Sequence, residues 1–142
     1  MILLDTSVLS RAFRRRRPGL EELRLQRIVE GLMAGDVPLG LPGIVLQEIL
    51  SGVRSEKQFF ELEGRLLAAF TVVLPTASDH VEAARLRNKC LAKGLSASGP
   101  DCLIAVIAMS GRHELFTVDG DFEAISRHAP LKLKLFASEG GA

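Results

Sequence analysis

Short apolar segments alternate with longer stretches of helical periodicity along almost the whole chain. No other feature restricts the fold as much. The extended candidates are Ile2–Leu4, Pro38–Leu41, Thr71–Leu74, Leu115–Val118 and Leu131–Leu135. The first helical turn or two fall over Ser7–Phe13. Leu25, Ile28, Val29 and Leu32 recur at i, i+3, i+4 and i+7 spacing, which predicts an amphipathic helix over Leu20–Met33. A third helix is expected over Gly43–Val53, and Phe59, Leu62, Leu66 and Phe70 mark a further helical stripe. Thr76 and Asp79 have the spacing of a capping box, opening a helix that runs to about Lys93, where Gly94 suits the end. Pro100 at a first helical position opens another, to Ser110. "DGD" at 119–121 reads as a turn, and Phe122–Ser126 as a helical turn. Strands alternating with helices imply an α/β fold: a short parallel sheet flanked by helices on both faces.

At 142 residues, with 47% hydrophobic and 25% charged, the chain has the size and composition of one domain with a real core. Cys90 and Cys102 sit in apolar helical contexts without zinc-ligand spacing, and are expected as reduced core thiols. The opening apolar run stops at Asp5, unlike a signal peptide. The longest apolar run, Cys102–Met109, is far short of the ~20 residues of a membrane span. A soluble, cytoplasmic protein with no membrane partner is expected. No G-x-S-x-G, P-loop or G-x-G-x-x-G occurs, which weighs against the corresponding hydrolase, NTPase and dinucleotide readings. His80, His113 and His128 fall in surface-like contexts and suggest no catalytic role.

Most of the 17 acidic residues read as solvated surface. The informative ones interrupt apolar segments. Asp5 ends the first strand, where sheets of this class place their active sites, beyond the carboxyl ends of strands. Glu48 rides the margin of an apolar helix face. Asp101 opens "DCLIAVIAM", which is apolar nearly all round and therefore buried. Asp119 ends the strand "LFTV", and Asp121 follows. Each has an ordinary reading. Asp5 could cap a helix, Asp101 could answer the helix dipole, Asp119 and Asp121 could be turn residues, and Glu48 could be solvated.

Together they point elsewhere. Carboxylates converging at one sheet edge repel each other and resist ionisation. No lysine or arginine stands immediately beside Asp5, Asp101 or Asp119 in the sequence. A hard divalent cation, Mg²⁺ or Mn²⁺, would neutralise them. The corresponding chemistry is metal-assisted phosphodiester hydrolysis. Thr6, Ser7 and Thr117 could hold metal waters or phosphate oxygens, or simply cap helices and strand ends.

The chain resembles the PIN-domain ribonucleases and, within them, the VapC-type toxins. The matching stretches are "LLDTSVL", "LQEILSG", "SGPDCLIAVIA" and "LFTVDGDFEAI", in the order and separations of that family. They span Ile2 to about Leu135, implying a domain over residues 1–136 and a frayed tail at 137–142. The resemblance implies a catalytic set of Asp5, Glu48, Asp101 and Asp119, with Asp5, Asp101 and Asp119 on the metal. It makes Asp121 an accessory acid and Thr6, Ser7 and Thr117 accessory hydroxyls. It also implies Mg²⁺- or Mn²⁺-dependent endoribonuclease activity on structured RNA such as tRNA or rRNA, a homodimer, and a cognate antitoxin that covers the site. Val106 stands where that family usually has alanine, and "RRRRPG" is unusually basic.

Arg11 and Arg14, Arg15, Arg16 and Arg17 form a dense positive block. With the four candidate acids set aside, 18 cations face 13 acids, a balance of +5 for the rest of the molecule. A basic rim beside an acidic metal pocket suits RNA, although a solvated loop would read the same way. The alternatives are a housekeeping PIN nuclease in RNA processing, a non-catalytic RNA- or protein-binding module, and a receiver-like domain. The last lacks a phosphoacceptor Asp in "FTVVLPTAS".

Overall fold

A computed structural model describes residues 1–13 and 17–134. Arg14, Arg15, Arg16, Leu135 and the expected tail at 137–142 lie outside the described residues. The elements run β1 (Ile2–Leu4), α1 (Thr6–Phe13), α2 (Leu20–Ala34), β2 (Leu39–Pro42), α3 (Gly43–Leu50), α4 (Glu56–Ala69), β3 (Thr71–Val73), α5 (Ala77–Ala92), α6 (Gly99–Ser110), β4 (Glu114–Phe116), α7 (Gly120–Ser126) and β5 (Lys132–Lys134).

The five strands form one sheet in the order β3-β2-β1-β4-β5, every pair parallel. The α/β expectation therefore holds. From β1 the chain builds outward through β2 and β3, then returns to place β4 against the other side of β1. The strand order reverses between β1 and β4. In open parallel sheets a crevice forms at such a switch point, beyond the carboxyl ends of the strands. Right-handed crossovers put α1–α4 on one face and α5–α7 on the other. The packing agrees: α1 meets α2 and α3, α3 meets α4, and α6 meets α5 and α7.

The middle of the sheet is sealed on both sides. Leu3, Leu4, Leu41 and Leu115 are fully buried. Cys102 and the run Ile104–Ala108 of α6 are buried too, as the all-round apolar sequence requires. Cys90 and Cys102 are buried free thiols, and burial pushes Cys102 up to about 11. Val106 is part of this core. No helix among the described residues is long and apolar enough to cross a membrane.

Several boundaries differ from the sequence expectation, each for a local reason. The capping box of α5 forms as expected between Thr76 and Asp79, and Gly94 follows at φ +76°, a conformation that favours glycine. But α6 opens at Gly99 rather than Pro100, because Ser98 caps it by accepting from the Asp101 N–H. α3 ends at Leu50, short of Val53. The stripe of α4 is only half inward: Leu66 and Phe70 are buried, whereas Phe59 is exposed. The fourth strand stops at Phe116, so Thr117, Val118 and Asp119 form a connection to α7 and Asp119 does not end the strand.

Candidate functional site

Three helices begin at the switch point, and each carries a carboxylate at its start. Asp5 follows β1 directly and starts α1: its Oδ1 accepts the Val8 N–H at 3.3 Å, and its carbonyl accepts the Leu9 N–H. Asp101 is the third residue of α6. Asp119 caps α7, its Oδ1 accepting the Asp121 N–H at 2.9 Å. The ordinary capping reading of Asp5 is thus correct as geometry, and Asp119, expected as a turn residue, caps a helix as well. The caps also explain how the acids converge, since each helix start fixes one carboxylate where the sheet ends. The partial positive charge of helix N-termini favours anions there.

That charge does not balance the cluster. Burial pushes Asp101 up to about 6, and Asp119, Asp121 and Asp5 each add repulsion, against a lowering hydrogen bond with Ser98. Asp5 is raised as well, first by burial and least by Asp119, while hydrogen bonds from Thr117, Ser7 and Val8 pull the other way. One carboxylate oxygen from each of Asp101, Asp119 and Asp121 lies within 4.8 Å of the others. None of the three is in an ion pair among the described residues. Among the described residues the grouped ligand atoms are all hard carboxylate oxygens that repel one another without a protein cation beside them. Such a donor set fits Mg²⁺ or Mn²⁺ and is unsuited to softer metals.

Asp5 stands outside this tight group and is built differently. It is 3% exposed. Ser7 Oγ donates to its Oδ1 at 2.8 Å, and Thr117 Oγ1 donates to its Oδ2 at 2.7 Å. Both hydroxyls also accept from the backbone, Ser7 from Val118 N–H at 3.2 Å and Thr117 from Asp119 N–H at 3.0 Å. These contacts explain why β4 stops at Phe116. The backbone donors at 118 and 119 turn to side chains instead of to a neighbouring strand. They also separate the hydroxyls. Ser7 and Thr117 spend their protons on Asp5 and are not free to hold a phosphate. Thr6 Oγ1 is buried without a partner among the described residues.

Asp101 and Asp119 come together, with Asp121 as a full member of their group. Asp5 is coupled to them through charge. Glu48 lies on the exposed side of α3, outside the group. Arg11 and Arg17 are exposed near the end of α1 and just beyond it. Asp121 is signalled in the sequence by its "DGD" spacing and, through the resemblance, as an accessory acid. Its position depends on α7 starting at Gly120, immediately after the cap.

Comparison with known proteins adds to this geometry. The family model described as PIN domain matches residues 2–128. No curated protein gives a significant match. Among solved structures, FitAcB from Neisseria gonorrhoeae is similar at 22% identity and a TM-score of 0.72, over 95% of this chain and 97% of the other. VapBC2 from Rickettsia felis, bound to a DNA fragment from its promoter, is similar at 21% identity and a TM-score of 0.72, over 96% and 99%. A toxin-antitoxin complex from Klebsiella pneumoniae is similar at 21% identity and a TM-score of 0.67, over 86% and 90%.

Proposed function

Because the chain belongs to the PIN domain family, we propose that it is a divalent-metal-dependent endoribonuclease, the toxin of a toxin–antitoxin pair. The observation that carries this reading is the gathering of Asp101, Asp119 and Asp121, without a protein cation among the described residues, at the switch point that Asp5 also borders. Asp5, Asp101 and Asp119 would hold Mg²⁺ or Mn²⁺, with Asp121 as a further donor. A cation there supplies electrophilic stabilisation of a phosphate and a more acidic water. Glu48, on the exposed side of α3, would be the acid that orients or deprotonates the attacking water. Thr6 offers an uncommitted hydroxyl beside Asp5.

The substrate is structured RNA of the tRNA or rRNA kind, in the cytoplasm. Arg11 and Arg17, with Arg14, Arg15 and Arg16 between them in sequence, track its phosphates. Aromatic stacking contributes little, since the chain has no Trp or Tyr. A cognate antitoxin is the natural partner, given the toxin-antitoxin complex among the similar structures. The active form is a homodimer.

Sequencing RNA 5′ ends after induced expression tests the reading. Wild type should create new ends at one or a few sites in tRNA or rRNA, and Asp101→Asn should create none. Identical ends in both, or no new ends with wild type, would contradict it. Ends confined to normal processing sites, without growth arrest, would identify a housekeeping nuclease instead.

A further inference from the structure

Each hydroxyl of Ser7 and Thr117 has a single proton, and the geometry fixes where it goes. A backbone N–H can only donate, so Val118 N–H on Ser7 and Asp119 N–H on Thr117 occupy acceptor positions. The hydroxyl protons are left for Asp5, one on each carboxylate oxygen, at 2.8 and 2.7 Å. The two hydroxyls lie 3.4 Å apart. Residues 110 positions apart in sequence thus join one hydrogen-bonded assembly. It runs from Asp5 through both hydroxyls to the backbone at 118 and 119.

We propose that Ser7 and Thr117 are positioning residues that lock Asp5 to the Asp119 backbone and so pre-form the cation site. The inference rests on the metal reading above and deepens it. Asp5 and Asp119 repel each other. Without a cation, nothing in their charges keeps them side by side. The hydroxyl bridge does, because breaking it leaves buried donors and acceptors unsatisfied. The cost of holding like charges together is then met during folding, and cation binding need not order the site. Both oxygens of Asp5 already accept a hydroxyl proton. Rotation of that carboxylate would break a hydrogen bond to each, so its orientation is fixed as well.

The test measures Mn²⁺ affinity without RNA, by electron paramagnetic resonance titration of free Mn²⁺, together with thermal melting. The variants are Ser7→Ala, Thr117→Val and the conservative Thr117→Ser. Ser7→Ala and Thr117→Val should each weaken Mn²⁺ binding by roughly 10–100-fold, the usual cost of losing a group that orients a metal ligand. Thr117→Ser, which keeps the hydroxyl, should stay close to wild type. Because the hydroxyls act as one unit, the double variant should lose less than the product of the two single losses. Wild-type affinity in folded Ser7→Ala or Thr117→Val would overturn the proposal and leave the metal reading standing. Wild-type protein that binds no Mn²⁺ would overturn both. If Thr117→Val does not fold, Ser7→Ala against Thr117→Ser makes the same comparison.

Discussion

The acidic cluster has two halves that handle like charge in opposite ways. Asp5 is buried and accepts three hydrogen bonds, two of them from hydroxyls aimed by the backbone. Its hydrogen bonding is met inside the fold, although burial still raises its pKa. Asp101, Asp119 and Asp121 lie more open, within reach of a common point, and burial and repulsion hold Asp101 near 6. Among the described residues no cation answers their charge. A carboxylate that is solvated by the protein serves as a fixed reference. Carboxylates that are not so solvated depend most on a cation to answer their charge.

The contrast can be broken most strongly from the open half. Asp101→Asn and Asp119→Asn should each lower RNA cleavage by roughly 10²–10³-fold, the scale of losing one electrostatic stabiliser. Both should also abolish any rise in melting temperature on adding Mn²⁺. From the buried half, Asp5→Asn should destabilise the metal-free protein by about 1–3 kcal/mol, because an amide nitrogen replaces an acceptor among committed donors. Denaturant melts would show this.

Asp101→Asn should do the reverse and stabilise the metal-free protein at pH 7. Its folded pKa of about 6 exceeds the ordinary 3.8, so the folded state holds this proton more tightly than the unfolded chain. The stability from this group is complete below 3.8 and is lost as pH rises through about 6. With solvent screening of a half-buried group, the gain at pH 7 is on the order of 1 kcal/mol, or ~3 °C. It should shrink as the pH approaches 4. Opposite signs for Asp5→Asn and Asp101→Asn would sharpen the comparison, and equal signs would break it. The smallest effect belongs to Arg11→Ala. It should weaken RNA binding whatever the sequence and reduce the slope of log affinity against log salt by roughly 0.7.

Much of this was legible in the sequence, though unequally. The alternation of apolar segments and helical stripes carried the architecture, because burial on both faces writes itself into composition. Asp5 and Asp101 were legible for the same reason, as polar interruptions of apolar runs. Asp119 lies beyond the strand end that the sequence suggests. Thr117 and Val118 are β-branched and read as strand, but Ser7 and Thr117 side chains capture the next backbone donors. The capture of Val118 N–H depends on Ser7, 111 positions away, which no local pattern reports. The same distance hid the difference between Thr6 and Ser7. Asp121 joined the group only because α7 starts at Gly120. Phe59 has the spacing of a helical stripe, yet it is exposed, since periodicity marks a face and does not show whether anything covers it.

The most direct test of the account is RNA cleavage across removal and return of the metal. Purified protein would be stripped by chelation, dialysed, and incubated with tRNA and rRNA before and after Mn²⁺ is added back. The account predicts no cleavage in the stripped state and recovery of the same cut sites with Mn²⁺, in wild type and not in Asp101→Asn. Cleavage that persists without metal, or that Asp101→Asn retains, would contradict it.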